Sequence, residues 1–575
     1  MNSDIVTEVK FLYPEKYLKN FGIFRMLVPE YESKLNTINY ILNIDRSGST
    51  IDMCPDGKTK IEHMHFTIKN MINYFLNLGT KTKMHQYITI LAFDNDVKIS
   101  CIREEINEKF KTEKLPGILK DLYPRGTTNI ERALTEAKKI INTINTENIT
   151  SNKNNQISHI FMSDGHITEG SRDIGKLLPH IHATNCVNTF IGYGIDHDAK
   201  LMKELSNVEK GEYYFIESLE NAGMVYGEIL YNSIYEYLQN ISITIENGKI
   251  YDYHTNTWNT KIDIASLVSG KTRTWHITSD ASPKDVKIYC AFNTLENTCH
   301  GICDSIINFS FPVVTKSCSF DTEVKKYWWR QQTQENMFDV TNLIKMINSK
   351  IPTKPVTFTQ GYSYNRFKVL SPPPPPTLVK LKRPTLVAPP RTLLSPTSTY
   401  TPSPPTLKLS SPINKYNPHI SVVDSPPALY PNAKRDNRNP KIINNNNIDD
   451  INENLQKENK MKKLEEFLSE MKKYVNENNM QDDTFMANLC DDIYICIKGL
   501  CSTKGYMYVA TRSISQGCER AYNVRNLDNL RVRSDSILYK GNNFRSLQNH
   551  NISTSNFTTY ASEGATNIMR QVSGN

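Results

Sequence analysis

The chain reads as an α/β protein built on a doubly wound, mostly parallel sheet, followed by a small β-sandwich, a Pro/Asn-rich linker and a helical C-terminal segment. Three observations lead there. Apolar strand-like runs alternate with helical stretches between residues 38 and 216, the pattern of parallel strands joined by helical crossovers. From about 236 the pattern becomes short runs alternating apolar and polar residues, which predicts antiparallel strands with one buried face. Residues 371–440 are dense in proline, which removes backbone donors and favours extended chain.

Each element follows in order. Residues 1–36 carry no clear signal and are taken as an N-terminal extension. Strands are predicted at Ile38–Ile44, Tyr87–Phe93, Ile157–Met162 and Val187–Ile191, with helices over Ile61–Leu78, Ile130–Ile144 and Ser171–Leu178. Asp94, Asn95 and Asp96 interrupt the apolar character between 87 and 100. They predict a tight hairpin, and so one antiparallel strand at the sheet edge. The α/β domain is bounded at 37–235. A β-sandwich is expected over 236–320, where Ile241, Ile243 and Ile245 alternate with polar residues and similar runs follow at Thr274–Thr278 and Val286–Ala291. Residues 321–370, with Trp328, Trp329, Phe338, Leu343 and Ile347, read as helical. The stretch 371–450, including the run Asn444 to Asn447, reads as a disordered linker. In 451–575, Leu464, Phe467, Leu468, Met471 and Val475 share one helical face, which packs on the chain itself or on a partner. The remainder has no clear periodicity, and there is no internal repeat.

Composition narrows the function classes. With 575 residues and 38% hydrophobic content, the chain has several domains and some unpacked length. A formal charge of +8, with 60 acidic residues among the basic ones, does not favour nucleic-acid binding. The opening MNSDIVTEVK has no signal-peptide pattern, and no run of 18 apolar residues exists, so neither secretion nor a membrane span is expected. Eleven scattered cysteines read as reduced thiols in a cytoplasmic setting.

The strongest chemical signal follows the first strand of the α/β domain. Asp45-Arg46-Ser47-Gly48-Ser49 is a DxSxS pattern. In open α/β sheets ligands bind at the carboxyl ends of strands, where this loop must sit. Two further loops join it in order. Thr128, in Arg125-Gly126-Thr127-Thr128-Asn129, precedes a helix, and Asp164 follows the strand that ends at Met162. Asp45, Ser47, Ser49, Thr128 and Asp164 together form a set of hard oxygen donors. Such donors suit Mg²⁺, Mn²⁺ or Ca²⁺ rather than zinc.

These three loops resemble those of the von Willebrand factor A (VWA) family, a Rossmann-like fold, and its metal-ion-dependent adhesion site. By that resemblance Ser47, Ser49 and Thr128 supply hydroxyl ligands, while Asp45 and Asp164 act mainly through coordinated water or by supporting the ligands. The resemblance extends to Phe161–Gly170, to Ile191–Asp198 and to Gly211-Glu212-Tyr213-Tyr214-Phe215-Ile216, all similar to strands of intracellular VWA proteins. Thr511–Gly517 and Met569–Gly574 resemble, more weakly, a VWA/Hint-associated C-terminal segment. Abundant Asn and Ile point to an AT-rich genome, such as that of an amoebal giant virus or a protist. Two departures matter. The paired Cys/His array of a RING ubiquitin ligase is missing, and so are the residues of a self-splicing Hint domain, so neither activity carries over.

Weaker signals stay open. Cys290, Cys299, His300 and Cys303, and separately Cys490, Cys496 and Cys501, are either thiols or zinc ligands. His85, His166 and His197 are polar loop residues or bases. Ser-Pro and Thr-Pro steps between Ser371 and Ser425 are linker composition or phosphorylation sites. The expected function is a non-enzymatic, divalent-metal-dependent protein-binding module, a scaffold or adaptor whose partner offers an acidic residue. The alternatives are an accessory subunit of an enzyme system such as ubiquitin transfer, or a structural virion component.

Overall fold

The structure, a computed structural model, describes residues 5–12, 20–33, 35, 37–53, 57–81, 84–151, 155–164, 166–181, 186–194, 197–208, 210–216, 222–282, 285–294, 318–350, 446–502, 504–522 and 558–573. The proline-rich stretch, Cys299, His300 and Cys303 lie outside them. Two strands open the chain, β1 (Val6–Phe11) and β2 (Phe21–Leu27), before a six-stranded sheet begins. That sheet contains β3 (Thr37–Asp45), β4 (His85–Phe93), β5 (Val97–Glu105), β6 (Asn155–Ser163), β7 (Cys186–Tyr193) and β8 (Gly211–Ile216).

Its order is β5-β4-β3-β6-β7-β8, parallel except for β5, which returns antiparallel at the edge through the Asp94–Asp96 turn. Sequence pattern explains the placement. β3 is buried along its whole length, as expected of a central parallel strand covered on both faces. β5 has only half-buried and exposed positions, as an edge strand can. Alternate β3 side chains go to opposite faces. Tyr40 stacks on Phe75 of α1 (Lys60–Lys81), with ring centroids 4.3 Å apart. Ile41 joins Ile141 and Ile144 of a helix over Ile130–Ser151 on the other face. Between these helices comes α2 (Leu115–Asp121), which makes Ile130–Ser151 the third helix, α3. Then follow α4 (Ile174–Leu177), α5 (Ala199–Leu205) and α6 (Ala222–Ile234).

The chain then forms β9 (Glu236–Glu246), β10 (Lys249–Asp252), β11 (Thr257–Asn259), β12 (Lys261–Val268), β13 (Thr272–Thr278) and β14 (Lys287–Thr294). These make the expected sandwich, but not alone. One sheet is β12-β9-β14, and the other is β1-β2-β13-β10-β11. The segment expected as an N-terminal extension thus supplies two strands. Leu27 pairs with Thr272 and Phe24 with Trp275, and Val9, Phe11, Phe24 and Met26 share a core with Ile241, Ile243, Ile245 and Trp275. The α/β domain is inserted into the sandwich. It enters at Thr37 and leaves at Ile234, both at the end of the sheet opposite the DxSxS loop. Gln156, at the start of β6, donates to Glu236 at the start of β9 over 3.0 Å.

Five helices complete this body. α7 (Cys318–Lys350) covers the first part of the helical segment expected over 321–370, whose remainder lies outside the described residues, and α8 (Asn446–Glu477) carries the expected stripe. Leu464, Leu468 and Met471 are buried, and Phe467 lies 5.3 Å from Trp329 between ring centroids, so the stripe packs on the chain itself. α9 (Thr484–Leu500) and α10 (Gly505–Cys518) follow, and α11 (Glu563–Ser573) lies against α6 and α1. A Cβ on Gly223 or Gly227 of α6 would overlap the backbone of Ser573 or Met569, which is why glycines stand there. Buried pairs bind the helices to the strands. Arg330 of α7 meets Glu519 at 2.8 Å and donates to the Thr274 carbonyl of β13. Arg512 of α10 meets Asp492 of α9 at 3.0 Å. None of the described helices is long and apolar enough to cross a membrane.

Candidate metal centre

The carboxyl ends of β3 and β6 place Asp45 and Asp164 side by side, and short hydrogen bonds define the geometry between them. The Ser47 amide donates to Asp45 Oδ1 at 2.8 Å, and Ser163 Oγ donates to Asp45 Oδ2 at 2.6 Å. Ser49 Oγ donates to Asp164 Oδ1 at 2.8 Å and lies 3.1 Å from Ser47 Oγ. Asp45, Ser47, Thr128 and Asp164 are almost fully buried. Four of the five expected ligands are therefore joined by direct side-chain or amide contacts.

Thr128 joins through the backbone. Gly48 N–H donates to the Gly126 carbonyl at 3.3 Å, and Arg125 N–H donates to the Arg46 carbonyl at 2.8 Å. Thr168 and Glu169 amides both donate to the Thr128 carbonyl, and the Thr128 amide donates to Thr168 Oγ1 at 2.8 Å. The three loops are thus stitched into one surface, with Thr128 between the other two. Gly126 takes φ +69°, and a Cβ there would press on Asn95 and Asp94, so this crossing needs glycine.

Several contributors were not legible beforehand. Asp94, at the turn after β4, is buried and faces two motif arginines: it accepts from Arg125 Nε at 2.7 Å and forms an ion pair with Arg46, whose Nε lies 3.0 Å away. Burial alone would push the Asp94 carboxyl up. Arg125, the Asp96 amide and Arg46 overcome that and hold it below the usual carboxylate range. Position 46, a free choice within DxSxS, is in this chain the strut that ties the first loop to the β4 turn. Lys60, at the start of α1, sends its ammonium to Asp164 Oδ2 at 2.7 Å and to Asp52 Oδ2 at 3.4 Å. Burial lowers its pKa, and Asp164 and Asp52 more than reverse this.

The electrostatics fit a cation. Burial first, and then repulsion from Asp164, raise the Asp45 carboxyl to about 7, despite the bonds from Ser163 and Ser47. Two buried carboxylates that share one small space and only one ammonium are under-neutralised, and a divalent ion beside them would restore balance. The donors around that space are hydroxyls and carboxylates, the chemistry of Mg²⁺, Mn²⁺ and Ca²⁺.

Other sequence candidates fall elsewhere. His85 is exposed at the start of β4 and faces Glu105 at 3.1 Å, at the far end of the sheet. His166 is largely exposed, 3.5 Å from Asp198. His197 is buried, with Nε2 2.7 Å from the Tyr213 hydroxyl, and burial lowers it to about 4. Cys290 is buried in the sandwich core. Cys490 and Cys501 contact different methionines, Met471 at 3.5 Å and Met461 at 3.8 Å. Among the described residues, no group of three or more His, Cys, Asp or Glu side chains gathers to hold a metal. The hydroxyl-rich loop face is a different kind of donor set.

No family model matches the chain, and no curated protein matches it. Solved structures do align. A von Willebrand factor type A protein from Catenulispora acidiphila aligns with a TM-score of 0.40 and 12% identity, over 60% of this chain and 82% of its own. The ArnB paralog VWA2 from Sulfolobus acidocaldarius gives 0.37 and 14%, over 60% and 86%. Proximal thread matrix protein 1 from the mussel byssus, solved with a zinc-occupied MIDAS motif, gives 0.29 and 19%, over 36% and 50%.

Proposed function

We propose that the chain is a non-enzymatic binding module whose loop face, at the carboxyl ends of β3 and β6, holds a divalent cation and takes a carboxylate from a protein partner. The observation that carries this reading is the convergence of Ser47, Ser49 and the Thr128 loop around the Asp45–Asp164 pair. In it Ser47, Ser49 and Thr128 are the direct ligands, and Asp45 and Asp164 orient them. Mg²⁺ is the leading ion, with Mn²⁺ and Ca²⁺ as alternatives. When bound, the ion supplies positive charge and an open coordination position.

Charge decides what that position attracts. Two carboxylates and the Lys60 ammonium leave one net negative charge, so a dication turns the site to one net positive charge. An anionic side chain is then favoured, and neutral groups gain little. The surroundings suit a protein surface. Ile51 and Met53, directly beyond Ser49, and Tyr123, beside Arg125, are each more than half exposed. Exposed apolar side chains around a polar centre are the composition of a contact patch.

The test uses the full chain and any partner recovered with it. Binding isotherms are measured in Mg²⁺ and in EDTA, with Thr128→Ala alongside. The expectation is tight binding only with Mg²⁺, weakened by Thr128→Ala with little change in stability. Equal affinity in EDTA contradicts the proposal and moves the contact to another face.

A further inference from the structure

A cavity of about 1120 Å³ lies at the other end of the α/β sheet, among the starts of β7 and β8, the strands β10 to β13, α7 and α10. Its lining carries more basic than acidic residues, the acids being Glu204, Glu212, Asp252 and Asp263, and Lys261 pairs with Asp263 at 3.1 Å. Lys345 pairs with Glu204 at 3.1 Å and Arg330 with Glu519. By contrast, Lys203 and Lys271 are half-buried, and neither has a hydrogen-bond or salt-bridge acceptor among the described residues; Glu204 acts on Lys203, and Glu228 and Glu519 on Lys271, only at longer range. Arg273 is nine-tenths buried. One of its amino groups donates to the Gly517 carbonyl at 2.6 Å, and its Nε has no acceptor. Arg520 lies over the Tyr214 ring and donates to the Tyr213 carbonyl at 2.5 Å. Asp252 acts on His254 with one sign, and Arg273, Lys203 and Arg520 with the other, so cations are in excess on this wall.

Holding unpaired cations in partly dry surroundings costs stability. Burial and the neighbouring Lys345 already push Lys203 down to about 8. An arrangement of this kind persists where an anion repays it. We propose that this cavity is a second binding site, for a small polyanion carrying several phosphate groups, held by Lys203, Lys271, Arg273 and Arg520. A divalent cation is repelled there, and an apolar ligand leaves the ammonium groups unpaired. The volume lies just above the usual range of about 300–1,000 Å³ for small-ligand sites and far exceeds what one inorganic phosphate fills. Several anionic groups on one scaffold match several separated cations. The tyrosine and histidine rings of Tyr251, Tyr253 and His254 in the lining offer flat contact for the scaffold. The site is independent of the metal face, because its residues come from the opposite strand ends.

The test is calorimetric titration of the full chain, free of divalent ions, with tripolyphosphate, a nucleoside triphosphate and inositol hexakisphosphate as probes. The expected result is saturable one-to-one binding of at least one probe. Each of Lys203→Met and Lys271→Met should weaken it roughly tenfold, the loss of a charged hydrogen bond. Lys98→Gln, elsewhere on the surface, and Asp45→Asn, at the metal face, should leave it unchanged. Comparable binding of all three probes assigns recognition to the charges alone, and a preference for the nucleotide or the inositol phosphate identifies the scaffold. Both methionine variants should melt no lower than wild type without probe, since an unpaired charge is removed. Lys203→Gln and Lys271→Gln serve in their place should either methionine variant fold poorly. Absence of saturable binding by every probe overturns the proposal, as does equal affinity across wild type and the lysine variants.

Discussion

Asp45→Asn should have opposite effects on stability and on metal binding. In protein stripped of divalent ions, burial and then Asp164 raise the Asp45 carboxyl from its ordinary 3.8 to about 7. The folded state therefore keeps a proton that the unfolded chain releases. Below about pH 4 both states are protonated and there is no penalty. Between about pH 4 and 7 stability falls as pH rises, and above 7 the loss levels off at up to about 4 kcal/mol. Asparagine removes this loss. Its oxygen still accepts from the Ser47 amide, and its amino group can donate to Ser163 Oγ, whose hydroxyl accepts as readily as it donates. Urea unfolding in EDTA should find the variant more stable than wild type at pH 7.5 and nearly equal at pH 4. Added Mg²⁺ should then stabilise wild type, by mass action, and not the variant. A variant equal to wild type or weaker at pH 7.5 in EDTA would refute the electrostatic account. So would equal stabilisation of both by Mg²⁺.

Three further outcomes follow from the packing and the loops. Asp94→Ala strands the buried Arg46 and should cost about 3 kcal/mol in urea unfolding, with weaker metal binding because the first loop loses its strut. Gly227→Leu drives a side chain into the Met569 backbone and should cost about 2 kcal/mol or more, read as a lower Tm. A milder effect is expected at Ile51, where Ile51→Ser should leave both Tm and metal affinity unchanged. It should lower partner affinity several-fold in the same isotherms, because the side chain is exposed beside the site.

The α/β domain was readable because its strands are buried on both faces. Burial on both faces makes β3, β4, β6 and β7 predominantly apolar runs, and four of the five expected ligands sit at or directly after the ends of two of them. The split sandwich was not readable. Phe24 reveals its strand only through Trp275, far along the chain, and no local pattern reports such a pairing. α9 escaped for another reason. It is buried nearly all round, so it shows no polar face and therefore no stripe. At the metal site the donors announced themselves by type and order, while the supports did not. Arg46, Asp94 and Lys60 look like ordinary surface charges in sequence, and only the fold shows them facing one another in a dry interior. Lys203 and Lys271 are similar, since a missing partner is a fact about space rather than sequence.

The most direct test of the metal centre is a Mn²⁺ binding isotherm on the full chain, followed by electron paramagnetic resonance, for wild type, Asp45→Asn, Asp164→Asn and Lys203→Met. The account predicts one saturable Mn²⁺ site in wild type and in Lys203→Met, displaced by Mg²⁺ and lost in both aspartate variants. Mn²⁺ binding that is absent from wild type, or that survives unchanged in Asp45→Asn and Asp164→Asn, would contradict it.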